Sequence, residues 1–168
     1  LAALIMQPGS DPLQNKRYFR AFDFYPPAQS TPVLLGLLKG NHPQQDYVNA
    51  LAFMQLDAAA VPKTPAMTAL LHNSLKVFKD HMEFVDLVLK YHLRDQNGTL
   101  LQMVTDSKKR DLQGYAMKTL LQYGGQSLVV DAIRKKDSAS AHILVDAVGR
   151  SENNTSRELL RSVMNSNV

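Results

Sequence analysis

The sequence predicts an all-α fold, an α-solenoid of HEAT- or armadillo-like helix pairs, and two observations carry that expectation. A short apolar signature returns at Leu34-Leu35-Gly36-Leu37-Leu38, Met67-Thr68-Ala69-Leu70-Leu71, Leu100-Leu101-Gln102-Met103-Val104, Val129-Val130-Asp131-Ala132-Ile133 and, in weaker form, Leu159-Leu160-Arg161-Ser162-Val163. The starts lie 33, 33, 29 and 30 residues apart, and each signature opens an amphipathic helix that a second one follows. A period near thirty residues filled by two helices marks stacked units, none of which can bury its apolar face without a neighbour. Secondly, every apolar run fits the 3.6-residue period as well as or better than strict alternation, so there is no strand signal.

Taken in order, the turn cluster Pro8-Gly9-Ser10-Asp11-Pro12 ends a first apolar scrap and starts a helix near Leu13 that carries Tyr18, Phe19 and Phe22. Tyr25-Pro26-Pro27 stops it, and Ser30-Thr31-Pro32 restarts the chain with a hydroxyl cap and a proline at the first helical turn. That helix runs through Lys39 and closes on Gly40, a C-cap position. Tyr47, Val48, Leu51, Ala52 and Met54 to Leu56 make the next apolar stripe. Ala58 to Pro65 ends that unit, and helices follow from Ala66 to Lys79 and from Met82 to Leu93. The second of these is so dense in Phe84, Val85, Leu87, Val88, Leu89 and Tyr91 that it belongs in a central, twice-covered position. After the turn Arg94-Asp95-Gln96-Asn97-Gly98, Leu100 to Val104 pairs with Leu112 to Tyr123, which Gly124-Gly125 terminates. Val129 to Arg134 pairs with Ala141 to Val148, closed by Gly149, and a last helix runs from about Thr155.

The composition is that of an ordered globular chain: 45% hydrophobic and 20% charged over 168 residues. Its longest apolar runs fall far short of the roughly 18 to 20 residues that cross a bilayer, so no membrane span is expected. Leu1 stands where a Met would start a gene product, and Leu-Ala-Ala-Leu-Ile-Met is too short for a signal peptide. Residues 1–168 therefore read as a single helical-repeat domain, a fragment of a longer multidomain protein. The absence of cysteine removes disulfides, thiolate metal sites, covalent haem attachment and a Cys nucleophile from these residues. The net charge of +4 is spread evenly, with 9 basic and 7 acidic residues up to position 94 and 10 and 8 beyond it. That distribution argues against a dedicated polybasic arm.

No catalytic, cofactor-binding or metal-ligating residue emerges from the motifs. The histidines at 42, 72, 81, 92 and 142 have neither an acidic residue three positions before them nor a second His at four-residue spacing. His81-Met82-Glu83 matches the start of a zinc deaminase signature whose required cysteines are missing. There is no Gly-rich phosphate loop and no Gly-x-Ser-x-Gly elbow. Glu83 and Asp86, three apart on one helix, read as a solvated face. Asn97-Gly98-Thr99 and Asn153-Asn154-Thr155 match the glycosylation sequon, and turn chemistry explains them equally well.

Two surfaces remain. Tyr18, Phe19, Phe22 and Tyr25, with Phe24 among them, form an aromatic cluster that is either an interdomain contact or the core of a capping repeat. Lys108, Lys109 and Arg110 in one inter-helix turn, and Arg134, Lys135 and Lys136 in the equivalent turn 26 residues on, would share an edge if the units stack. Such a ridge can track phosphates, as helical-repeat nucleic-acid binders do. Alternatively, these cations favour helix C-termini and keep the turns soluble.

Three stretches resemble the helical segment of large planctomycete and Bacteroidetes proteins that join a sorbosone-dehydrogenase-like β-propeller to a c-type cytochrome domain. The first is Arg17-Tyr18-Phe19-Arg20-Ala21-Phe22-Asp23-Phe24. The second is Phe84-Val85-Asp86-Leu87-Val88 with Tyr91, Leu93, Arg94 and Asp95. The third runs from Leu100 to Val104 and on through Gly114, Ala116, Leu120 and Leu121. The resemblance implies an exported, extracytoplasmic parent whose haem and catalytic residues lie outside this chain. It implies no cofactor here, and a role as spacer or docking module toward flanking domains or another protein. The expected function is thus a non-catalytic scaffold for interdomain or protein–protein contacts, with a nucleic-acid-binding repeat as the alternative.

Overall fold

The computed structural model describes residues 1–7, 12–106, 108–135, 138–151 and 154–165. Among the described residues every regular element is a helix and there is no strand. The protein is therefore all-α. The turn cluster at 8–11, Lys136 and Asn153 lie outside the described residues. The chain divides into two compact units, Leu1–Lys79 and Asp80–Val168.

The first unit holds α1 (Ala2–Ile5), α2 (Pro12–Arg20), α3 (Pro27–Leu37), α4 (Gln45–Gln55) and α5 (Pro65–Leu75). Three-ten turns at Ala21–Phe24, Ala58–Ala60 and Lys76–Phe78 join or extend them. The helix α4 is the hub: α2, α3 and α5 all pack on it. Its unbroken buried run Val48-Asn49-Ala50-Leu51-Ala52-Phe53 explains why, since a helix apolar on nearly every side must be enclosed. The Tyr47 and Phe78 rings meet edge to face at 6.0 Å.

Local chemistry sets the helix ends, in part differently from the sequence expectation. The restart expected at Ser30-Thr31-Pro32 comes earlier, because Pro27 with its preset φ takes the first helical position of α3 and leaves Pro32 inside the helix. Gly40 is not a left-handed cap, since Gly124 is the one described glycine with positive φ. Instead α3 ends at Leu37, and Gly40 N–H donates to the Leu37 carbonyl. The α5 start is capped by Thr64, whose Oγ1 accepts from Met67 N–H at 3.2 Å ahead of Pro65.

The second unit holds α6 (Met82–Tyr91), α7 (Asn97–Asp106), α8 (Arg110–Gln122), α9 (Gln126–Lys135), α10 (Ser138–Arg150) and α11 (Asn154–Asn165). Here α8 is the enclosed helix, burying Leu112, Gln113, Ala116, Met117, Thr119, Leu120 and Leu121 against α6, α7 and α10. The expected pairings of α7 with α8 and of α9 with α10 are both present. The helix expected to be central, α6, buries Phe84, Val85, Leu87 and Val88 and leaves Leu89 and Tyr91 half-buried.

Both α6 and α8 end in the same hydrogen-bond pattern. Gly124 takes φ +81° after α8, with Gly124 N–H on the Leu121 carbonyl and Gly125 N–H on the Leu120 carbonyl. After α6 the left-handed residue is His92 at φ +55°, with His92 N–H on Leu89 and Leu93 N–H on Val88. These are Schellman caps, which satisfy the last carbonyls of a helix. Gly149 does not close α10 as expected. The helix runs through it to Arg150, whose guanidinium is held by neighbours on α8 and α10.

Candidate interaction surface

Spacing along α2 sorts the aromatic cluster into core and surface. Asn15, Phe19 and Phe22 fall on one helical face and are buried, the two phenylalanines at 1% and 6% exposure with their rings 6.0 Å apart. For these two the core reading holds. Tyr18 is half-buried. Arg17 and Arg20 on α2, and Phe24 at the end of the three-ten turn, are all exposed. Phe24 is 89% exposed and Tyr25 49%. A phenylalanine so far out of the core contributes little to folding and is costly to leave in water, so its neighbourhood marks a surface of interest.

That neighbourhood is apolar. Leu1 and Leu4 of the first segment and Val33 of α3 are also exposed. A groove of about 460 Å³ lies between the first segment and α3, lined by Leu1, Ala2, Phe22, Tyr25, Ser30 and Val33 among others. Among the described residues no charged side chain lines it. From residue 12 to residue 45 the chain has four basic residues, Lys16, Arg17, Arg20 and Lys39, against one acid, Asp23.

The basic residues of the second unit are arranged differently. Lys108, Lys109 and Arg110 are exposed before and at the head of α8, and Arg134 and Lys135 are exposed at the tail of α9. The tail of α10, not its head, sits beside the first of these turns. Arg150 Nη1 donates to the Arg110 carbonyl at 2.6 Å and Nη2 to Gln113 Oε1 at 3.0 Å. Nη2 also pairs with Asp146 Oδ2 at 2.9 Å. The two basic turns therefore stand at opposite ends of α10, a helix about 20 Å long at 1.5 Å per residue.

A polar cleft of about 370 Å³ opens over α8 and the end of α10, lined by Arg110, Asp111, Gly114, Tyr115, Lys118, Arg150 and Ser151. Of its lining side chains, Tyr115, Arg150 and Ser151 are held by hydrogen bonds. Tyr115 donates to Asp86 Oδ1 at 2.7 Å, so Asp86 is a bonded, half-buried carboxylate rather than part of a solvated face. Burial first, then that hydrogen bond and the carboxylate charge, push the Tyr115 phenol up to about 12. Tyr123 donates to the Leu89 carbonyl at 2.9 Å, and its oxygen meets His92 Nδ1 at 3.1 Å. Burial raises the Tyr123 phenol above its ordinary value, opposed by the positive charge of Arg94.

The histidines take separate places. His42 is buried, with Nδ1 accepting from Gln44 N–H at 3.0 Å and Nε2 at 3.3 Å from the Gln7 carbonyl. His81 and His142 are exposed, and His72 is half-buried. Among the described residues no group of three His, Cys, Asp or Glu side chains is placed to hold a metal ion. No described helix is long and apolar enough to cross a membrane. The Asn97 side chain is engaged, its Nδ2 donating to the Tyr123 carbonyl at 3.4 Å.

Comparison with protein-family models, curated proteins and solved structures finds no match to the chain.

Proposed function

We propose that the chain is a non-catalytic helical-repeat scaffold, built of HEAT-like helix pairs, that mediates interdomain or protein–protein contacts. The observation that carries this reading is the set of exposed apolar side chains in the first unit, where Leu1, Tyr25 and Val33 line a groove without a charged side chain among its described lining residues and Phe24 and Leu4 are exposed as well. Such a face gains free energy only when a partner covers it, at about 25 cal/mol per Å² of apolar area removed from water.

The repeat architecture has its own support. The five apolar signatures fall on alternate helices, α3, α5, α7, α9 and α11. In the second unit α6 and α8 run parallel, because Asp86 meets Tyr115 and, further along both helices, Leu89 meets Tyr123. Parallel alternate helices are what stacked pairs require. The register breaks at α10, whose tail lies where stacking would put its head. The likeness of Arg17 to Phe24 to the helical segment of exported propeller–cytochrome proteins adds an extracytoplasmic redox parent to the proposal, with flanking domains as the first partners.

A photoreactive benzoylphenylalanine at position 24 tests the reading in cells that make the natural gene product. Adducts to a protein or to a flanking domain support it; labelling that never exceeds that of an exposed polar control site overturns it.

The second reading, a nucleic-acid-binding repeat, is favoured by the exposure of Lys108, Lys109, Arg110, Arg134 and Lys135. Their placement at the two ends of α10 offers no continuous ridge for a phosphate backbone. Filter binding with single- and double-stranded DNA and RNA at low salt decides it, since phosphate contacts bind most tightly there.

A further inference from the structure

Independently of the docking reading of the first unit, the geometry points to the cleft of about 370 Å³ over α8 as a binding site for a phosphate monoester. Two cations of its lining are uncommitted. Arg110 and Lys118 are exposed, and neither side chain makes a hydrogen bond or ion pair with the described residues. They stand eight residues apart on one side of α8, about 12 Å along its axis. Gly114 lies midway between them in the same lining. A Cβ added there would meet the Arg150 Cβ at 3.6 Å and nothing else within 4 Å, so the floor between the two cations is open. An anion over Gly114 is about 6 Å along the helix from each, within reach of both long side chains.

The rest of the lining sets the kind of anion. Tyr115 and Ser151 commit their hydroxyl hydrogens to Asp86 and to the Val148 carbonyl, so they form walls and donate nothing. Arg150 already donates to the Asp146 and Arg110 carbonyls, Gln113 Oε1 and Asp146 Oδ2, and its charge is paired with Asp146. Asp111, the one acid among the described lining residues, makes no ion pair with Arg110 or Lys118. A doubly charged phosphoryl group offers each of the two cations an oxygen at once, and the guanidinium fork matches phosphate geometry.

Helix electrostatics sharpens the point. Arg134 and Lys135 close α9 at the negative end of its macrodipole, where cations are stabilising. Arg110 holds the first position of α8, at the positive end, where a cation is unfavourable and an anion favourable. A confined cleft also suits one phosphoryl group better than the continuous track of a nucleic-acid backbone.

The test titrates the 15N-labelled 168-residue chain at low salt with N-acetyl-phosphoserine amide and with glycerol phosphate, read by amide shifts. Saturable shifts concentrated on residues 110–118 and 150–151 are expected, and none from N-acetyl-serine amide. Arg110→Gln and Lys118→Gln are each expected to weaken binding about fivefold. Gly114→Leu keeps every charge and fills the floor, and is expected to weaken binding at least about tenfold. Lys135→Gln, outside the cleft, should leave it unchanged. Thermal melts verify the fold of each variant, and the two glutamine variants carry the test if Gly114→Leu does not fold. Tighter binding of the seryl than of the glyceryl ester supports the site with a phosphorylated protein side chain as its source; equal binding supports it with a small phosphate monoester. Absence of saturation, or shifts scattered over the surface cations at large, overturns the inference. So does a folded Gly114→Leu variant that binds as the parent does. A twelve-residue oligothymidylate binding at least about tenfold more tightly than either monoester also overturns it and assigns the cations to nucleic acid. None of these results bears on the first unit, whose docking role is read at position 24.

Discussion

The Tyr115 hydroxyl donates to Asp86 Oδ1 at 2.7 Å, joining α8 to α6 across 29 residues of sequence. Together with Tyr123 on the Leu89 carbonyl, it ties the two helices together running in the same direction. Tyr115→Phe removes the donor and leaves a half-buried carboxylate without it. A loss of about 1 to 2 kcal/mol in urea unfolding is expected, the range for a hydrogen bond to a charged group at a partly exposed site.

Burial of the Tyr115 phenol, and after it the same bond, set a dependence on alkaline pH. In the folded chain the Tyr115 phenol is pushed up to about 12, from an ordinary value of 10.0. A group whose pKa is raised on folding contributes stability that is full below its unfolded value and is lost as pH rises through the folded one. Stability is therefore expected to fall between about pH 10 and 12. Tyr123 is raised as well and adds to the same decline. The Tyr115→Phe variant should show a shallower slope in that window, measured by thermal melts in half-unit pH steps. An identical slope would contradict the assignment.

Gly124 and Gly125 are expected to fail for different reasons. At Gly124 the cost of Ala is conformational, about 1 to 2 kcal/mol for a side chain held at positive φ. At Gly125 it is steric, because an added Cβ would run into the Leu120 side chain and lie 2.9 Å from the Leu120 carbonyl oxygen. The converse change, His92→Gly, relieves the left-handed penalty and gives up the 3.1 Å contact of His92 Nδ1 with Tyr123. These terms oppose each other, and a net change within about 1 kcal/mol is expected.

Arg150 is a strut between helices. Arg150→Met keeps the aliphatic stem and removes the donors to the Arg110 carbonyl and Gln113, and a loss of about 2 to 3 kcal/mol is expected. Asp146→Asn breaks only the exposed ion pair four residues away and should cost less than about 0.5 kcal/mol. Equal losses from the two changes would show that the strut acts through its charge alone.

Thr119 is wholly buried on α8 and its hydroxyl has no hydrogen-bond partner among the described residues. Thr119→Val replaces that hydroxyl by a methyl of the same shape. A neutral to stabilising effect of up to about 1 kcal/mol is expected in the same urea assay.

The helical class was legible because periodicity reports burial directly: the runs at Val48 to Phe53 and Leu112 to Leu121 are the two enclosed helices. Helix ends were less legible where two signals competed. Pro27 and Pro32 both offer a helix start, and only the geometry after Tyr25-Pro26 selects the first. Gly149 looks like a stop until Arg150 finds its partners, 37 and 40 residues away in sequence. The surface was half legible. Aromatic content announced the cluster, but the sequence reading placed Phe19 and Phe22 on the candidate surface with Tyr25. Counting helical steps from Asn15 to Phe19 along α2 would have marked the buried face, which Arg17 and Arg20 do not share. Tyr115–Asp86 carried no local signal at all, because nothing in sequence brings those positions together.

Hydroxyl-radical footprinting of Phe24 and Tyr25, in the isolated 168-residue chain and in the natural protein in its cellular assembly, tests the central claim most directly. The account predicts strong oxidation of both in the isolated chain and, in the assembly, a fall to the level of the buried Phe19. Equal oxidation in the two states would show that nothing covers this face and would contradict the docking role.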